Sequence, residues 1–291
     1  MSNPVYLVTG ATGTIGSLVV QRLLAKGHRP KVFVRDAGKA RALFGESVDI
    51  FTGDLDDADT LKPALDGVAA LLLINIGPNL AARDQAAARA AKAAGVKRLV
   101  KLSSIDARQG VGTGVWHAEG EAAIRDVGIP FTFVEPSGFM VNALWWAHSI
   151  KTESVVRSST GDGRIPFIHS EDIADVVTTT LTDNRFDGAT LAITGPEALS
   201  YGEMTAKIGA AIGKQVRFET ISDDDERRVL QDVGESSASI EAHLSIYRAI
   251  REGRLAEVTD TVSRVLGRPP IAFDQWVREN ATVFSTTESV R

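Results

Sequence analysis

Three glycines at a spacing of three, Gly10, Gly13 and Gly16, fall in the run Thr9-Gly10-Ala11-Thr12-Gly13-Thr14-Ile15-Gly16. The apolar run Val5-Tyr6-Leu7-Val8 leads into it and an amphipathic stretch from Ser17 to Lys26 leads out. Strand, glycine turn and helix in that order let the backbone approach a pyrophosphate. The helix then aims unpaired N–H groups and its positive dipole end at the phosphates. Thr12, Gly13, Thr14 and Ile15 are expected to supply amides and a hydroxyl. A ligand-free strand-to-helix turn would use the same glycines. A second strand-like run, Lys31 to Val34, nevertheless follows at the distance of a βαβ unit.

Arg35 ends that second run, about twenty residues beyond the first glycines, where an NAD site usually carries Asp or Glu for the ribose hydroxyls. A guanidinium can instead hold a 2′-phosphate by charge-assisted hydrogen bonds and stack on adenine. Lys39, about one turn later, could add a second positive charge. Asp36 could contact a ribose hydroxyl or repel the phosphate. On balance these residues predict NADP(H) rather than NAD(H).

The elements that must position these groups alternate up to about residue 150. Strand-length runs fall at Val5–Thr9, Lys31–Val34, Val48–Phe51, Ala69–Ile74, Arg98–Leu102 and Phe131–Val134. Near-continuous apolar runs of this length suit parallel strands buried on both faces. Helical stretches lie between them at Ser17–Lys26, Lys39–Leu43, Asp59–Leu65, Ala81–Ala94 and Trp116–Val127. Several end in glycine, as helix C-termini often do. The fold class is α/β, a doubly wound parallel sheet. Two regions are expected: a nucleotide-binding core over 1–150, with a strand at Thr190–Thr194 added to its sheet, and a mostly helical lobe over 151–291. Ser222–Glu226 reads as the start of a solvated acidic helix, and the tail from Ser285 as frayed.

Composition removes several classes of function. The chain of 291 residues has no cysteine, which excludes thiolate metal ligands and cysteine nucleophiles. Its five histidines form no zinc-binding pattern, so no metal is expected. With 37 acidic against 32 dispersed basic residues, no nucleic-acid partner is expected. The longest apolar stretch, Val68 to Ile76, is too short to span a bilayer, and no leader pattern opens the chain. A cytoplasmic protein, monomeric or homodimeric and without a membrane partner, is the expectation.

Taken in order, further segments carry a resemblance: Val34-Arg35-Asp36, Gly53-Asp54-Leu55, His117-x-x-x-Glu121, Gly128-Ile129-Pro130-Phe131-Thr132, Phe139-Met140-x-Asn142, Asp172-Ile173-Ala174, Leu191-x-Ile193-Thr194-Gly195-Pro196 and Pro269-Pro270 to Trp276. Over nearly its whole length the chain resembles atypical short-chain dehydrogenase/reductases of the NmrA-like type, the quinone-reductase and triphenylmethane-reductase branch among them. The resemblance implies a Rossmann-like nucleotide domain and a small C-terminal substrate lobe, with substrate in the cleft between. It also implies that Asp54 and Leu55 hold the adenine. The strand ends Asn75-Ile76-Gly77 and Leu102-Ser103-Ser104 would approach the nicotinamide, which places Asn75, Ile76 and Ser103 among the cofactor-binding residues.

The Tyr-x-x-x-Lys pair of many such reductases is absent: none of Tyr6, Tyr201 and Tyr247 has Lys four residues later. Counting on from Ser104 by the spacing usual in the wider family reaches His117, with Glu121 at the lysine position. The two lie one helical turn apart, and a nearby carboxylate would hold the histidine's proton and raise its pKa. His117 is the candidate general acid, with Glu121 and Ser104 as its catalytic companions. The alternative is that His117 packs against the cofactor or a loop and the proton comes from water. Hydride transfer needs no protein nucleophile, so acceptors needing little proton assistance, such as quinones or conjugated cations, are favoured.

Where relatives carry Arg-Pro-Gly, this chain has Glu135-Pro136-Ser137. Glu135 either faces the substrate or pairs with another residue and orients the loop. Trp116, Phe139 and Trp145 are the aromatic candidates for contact with a flat, conjugated substrate, core packing being the alternative for each. The leading expectation is an NADPH-dependent reductase of a quinone, enone or related carbonyl. The rival is a non-catalytic NAD(P)-sensing regulator.

Overall fold

A computed structural model describes residues 3–285. The expected fraying beyond Ser285 lies outside them. The chain forms two compact units. The first comprises Met1–Pro136, Ser170–Ile193 and Arg264–Gly267; the second Ser137–His169, Thr194–Ser263 and Arg268–Arg291. The first crossing falls at Ser137, directly after the strand Phe131–Pro136 and ahead of the expected boundary near 150, and the chain returns at Ser170 to complete the sheet.

The first unit runs β1 (Val5–Thr9), α1 (Thr14–Ala25), β2 (Lys31–Val34), α2 (Ala37–Phe44), β3 (Asp49–Thr52), α3 (Lys62–Leu65), β4 (Val68–Leu73), α4 (Leu80–Ala93), β5 (Arg98–Leu102), α5 (Gly114–Val127) and β6 (Phe131–Pro136). After α6 (Ala147–Glu153), β7 (Val155–Ser158) and β8 (Arg164–Ile165) of the second unit, α7 (Ser170–Thr182) and β9 (Thr190–Ile193) complete it. The seven strands form one parallel sheet in the order β3-β2-β1-β4-β5-β6-β9. The strand order reverses between β1 and β4, the switch point at which such sheets bind ligands beyond their strand ends. This is the Rossmann-like α/β arrangement.

Burial explains the strand assignments. Leu7 and Val8 of β1, Leu71 and Leu72 of β4, and Leu99 and Val100 of β5 are fully buried, so consecutive residues are covered on both sheet faces. On one face Leu61, Leu65, Leu71, Leu99, Ile124 and Phe133 belong to a continuous core with the small residues Ala87, Ala88 and Ala91 of α4. Small side chains let α4 and α5 approach closely: a Cβ on Gly120 would stand 2.4 Å from Asp84 Oδ2. Elsewhere in the unit Arg22 of α1 forms ion pairs with Glu171 and Asp175 of α7.

The second unit continues with β10 (Leu199–Ser200), α8 (Tyr201–Ala211), β11 (Arg217–Thr220), α9 (Asp223–Asp232), α10 (Ser237–Arg251), α11 (Thr261–Leu266), whose last turn belongs to the first unit, and α12 (Phe273–Phe284). Its strands make two small sheets, β10 with β8 and β11 with β7. Ser222 caps α9 by accepting the Asp225 N–H at 3.1 Å, as its acidic start suggested. The β7–β11 pair was not foreseen: β11 is short and only partly covered, which leaves a weak sequence pattern.

Candidate functional site

The glycine turn is built by close contacts. Thr9 closes β1 against β4: its hydroxyl oxygen accepts the Ile74 N–H at 2.8 Å and its hydroxyl faces the Ile74 carbonyl at 3.1 Å. Gly10 then turns with φ +61°, a region that glycine adopts freely, and a Cβ there would crowd the Ile74 side chain at 3.0 Å. A Cβ on Gly16 would stand 2.2 Å from the Gly10 carbonyl oxygen, so only glycine lets α1 sit this close to the turn. Gly13 is the N-cap of α1 and offers no side-chain acceptor. The first N–H groups of α1, from Thr14 and Ile15 onward, therefore lack a side-chain cap. That arrangement fits an incoming pyrophosphate.

At the end of β2 Arg35 is exposed, and among the described residues it makes no hydrogen bond or ion pair. Asp36 is committed to the N-cap of α2, accepting the Lys39 N–H at 3.0 Å. Its carboxylate thus has a structural role between the two cations. Lys39 itself is exposed. The turn after β3 is pinned by Thr60, whose Oγ1 accepts the Asp54 N–H at 3.2 Å, and by Asp54 Oδ1, which accepts the Asp56 N–H at 3.0 Å. Leu55 packs against the first unit's core.

Arg83 of α4 joins this turn to the one after β4. Its guanidinium meets both Asp56 carboxylate oxygens, at 2.6 and 2.7 Å, and donates to the Ile76 carbonyl at 3.0 Å. The Arg83 contact, with the charge of Arg35 adding, holds the Asp56 carboxyl below the usual carboxylate range. Asn75 is buried and donates to Asp84 Oδ1 and the Leu80 carbonyl, both at 3.2 Å, whereas the Ile76 side chain is 77% exposed.

Below the β5 end lies a charge pair that sequence reading missed: Lys101 Nζ meets Asp84 Oδ2 at 2.5 Å, with both side chains fully buried. A lysine inside the apolar strand Arg98-Leu99-Val100-Lys101-Leu102 was the available signal. His117 stands near this charge. Burial, then Lys101, pushes its imidazole down to about 3, and its Nδ1 is buried without a hydrogen-bond partner. The expected upward shift by Glu121 is therefore corrected. Glu121 turns to Ser103, whose Oγ donates to Oε1 at 2.6 Å, and to Arg125 at 3.2 Å. His117 is neutral in the physiological range and stores no imidazolium proton.

Ser104 is likewise held elsewhere. Its hydroxyl caps the 3-10 helix Ile105–Gln109, accepting the Asp106 N–H at 3.3 Å and facing Asp106 Oδ2 at 3.2 Å. Burial raises the Asp106 carboxyl to about 6. Glu135 is buried and paired with Arg108, the loop-orienting alternative of the two expected. Trp116 is half-buried on α5. In the second unit Phe139 bridges to Ile168, and Trp146 packs on Tyr201 with ring centres 4.9 Å apart. Trp145 is 65% exposed beside His243, so the two adjacent tryptophans have different surroundings. Among the described residues no cluster of metal-ligating side chains occurs and no helix is long and apolar enough to cross a membrane.

This geometry agrees with the comparisons to known proteins. A family model described as NAD(P)H-binding matches residues 10–184. The NAD(P)H azoreductase of Xenophilus azovorans is 36% identical over 282 residues, covering 96% of this chain and 98% of that protein. The (4-alkanoyl-5-oxo-2,5-dihydrofuran-3-yl)methyl phosphate reductase of Streptomyces griseus is 36% identical over 284 residues, 96% and 99% of the two chains. Among solved structures, the NADPH complex of an Escherichia coli NADPH-dependent quinone oxidoreductase superposes with a TM-score of 0.86 at 27% identity, over 94% of this chain and 99% of that one. With its glycine cradle, its sheet order and these relatives, the chain belongs to the NAD(P)H-binding, NmrA-like family of oxidoreductases.

Proposed function

We propose that this chain uses NADPH to reduce a quinone, enone or related conjugated carbonyl by direct hydride transfer. The observation that carries the cofactor choice is the exposed Arg35 guanidinium at the end of β2, where an NAD site would present a carboxylate. Bound NADPH supplies the hydride; everything else falls to the chain. The turn from Gly10 to Ile15 holds the pyrophosphate, Arg35 and Lys39 the 2′-phosphate, and Asp54 and Leu55 border the adenine. Asn75, Ile76 and Ser103 orient the nicotinamide, with the exposed Ile76 side chain shielding the ring from water. Trp116 is the first unit's aromatic face proposed for the acceptor.

The relatives' named activities support this reading, since they include an azoreductase and a quinone oxidoreductase. Steady-state NADPH oxidation with a panel of quinones, enones, azo compounds and cationic dyes is expected to show turnover with at least one class. NADH should be the poorer donor. Tight NADPH binding with no turnover across the panel would instead identify a dinucleotide sensor.

A further inference from the structure

Reduction of a quinone, enone or azo group consumes a proton as well as a hydride, and neither a Tyr–Lys pair nor a charged His117 is present to give it. Four charged side chains of the first unit converge on one pocket: Glu135 from β6, Glu121 and Arg125 from α5, and Arg108 from the 3-10 helix Ile105–Gln109. With Ala107, Ala118 and Thr190 they line a cavity of about 430 Å³. The carboxylates are its inner groups, Glu135 and Glu121 side chains being 2% and 6% exposed, against 41% and 45% for Arg108 and Arg125. Arg108 pairs with Glu135 and Arg125 with Glu121. The Glu121 carboxylate is close enough to Glu135 to act on its charge, and Ser103 Oγ donates to Glu121 Oε1 at 2.6 Å.

We propose that Glu135, Glu121 and Ser103 form a proton relay from this cavity to the acceptor at the C-terminal end of β5. The proposal rests on the reductase reading above. Two buried carboxylates side by side do not both ionise cheaply, so Glu135 retains its proton. Burial, with the charge of Glu121 adding and Arg108 opposing, raises Glu135 to about 7. Among the described residues the charged groups lining the cavity are Arg108, Glu121, Arg125 and Glu135.

The transfer balances. The acceptor gains a hydride from NADPH and becomes an anion. Ser103 Oγ–H breaks and its proton forms the new bond to that anion, while Oγ takes the proton from Glu121 Oε1. Glu121 is reloaded by Glu135, and Glu135 by water entering the cavity between the two arginines. In the resting arrangement the Ser103 hydroxyl donates to Oε1. Once Oε1 is protonated, the hydroxyl rotates to accept from it and donate to the acceptor. Glu121 and Glu135 act through Ser103 and do not touch the acceptor.

Two readouts test this on the full chain with Glu135→Gln and Glu135→Asp, each checked for an unchanged melting temperature. Infrared titration of the cofactor-free protein should show a protonated carboxyl band that titrates near pH 7 and is lost in Glu135→Gln. In turnover, Glu135→Gln should lower kcat for a quinone by about 10²-fold, the usual scale of general-acid assistance. It should also remove the fall in kcat above pH 7. Glu135→Asp should restore part of the rate. A triarylmethyl cation dye takes hydride without a proton, so its kcat should not change. Equal losses for quinone and dye, unchanged quinone turnover, or no titrating band would overturn the relay alone. A wild-type protein that reduces no acceptor overturns the reductase reading and the relay with it.

Discussion

Asp84→Ala is expected to destabilise the protein by about 3–5 kcal/mol, the cost of leaving one member of a buried ion pair without its partner. Lys101 is fully buried, and Asp84 is the carboxylate it reaches. Lys101→Met should cost less, because Asp84 keeps the Asn75 amide at 3.2 Å. Asp84→Asn combined with Lys101→Met removes both charges at nearly constant volume and should recover most of the loss. Urea melts of the four proteins measure the order. Equal stability of Asp84→Ala and wild type would show that the pair is not buried as described.

The same pair bears on pH. Lys101 adds to the burial that holds His117 at about 3, against an ordinary 6.5. Between those values the unfolded chain binds a proton that the folded chain does not. The stability contributed by His117 is complete above about pH 6.5 and is lost as pH falls towards 3. Glu135, raised from 4.5 to about 7, acts in the opposite sense, its contribution being lost as pH rises through 7. Lys101→Met should therefore move the His117 titration upward, readable by NMR.

Arg35→Ala is expected to weaken NADPH binding by about 10- to 100-fold, since a hydrogen bond to a charged group contributes roughly 1.5–3 kcal/mol. Binding of NADH, which lacks the 2′-phosphate, should hardly change. The variant should therefore lose its preference without losing its fold, because Arg35 is exposed and makes no ion pair among the described residues. Calorimetric titration of both cofactors into both proteins gives the comparison. Similar dissociation constants of wild type for NADPH and NADH would remove Arg35 from the phosphate site.

Much of the first unit was legible because its determinants are local. β1, β2 and β5 span the residues expected, and the strand expected at Thr190–Thr194 joins the sheet edge as β9. The glycine turn is equally local: each glycine meets atoms within the same loop or at the neighbouring β4 end. The chemistry around α5 was less legible because its partners come from distant segments. Helical spacing put Glu121 one turn from His117, but it cannot report that Ser103 and Arg125 capture the carboxylate. Nor can it report that Lys101, from β5, places a positive charge near the imidazole. Asp36 shows the reverse case: a carboxylate beside the exposed Arg35 has its explanation three residues away, in the cap of α2.

Direct hydride transfer from bound NADPH is the central claim, and single-turnover oxidation of NADPH deuterated at C4 tests it most directly. Mixed with the fastest quinone acceptor, the two C4-deuterated forms should differ: one should be oxidised more slowly than unlabelled NADPH, the other at nearly the same rate. Oxidation of both deuterated forms at the rate of unlabelled NADPH would contradict the account.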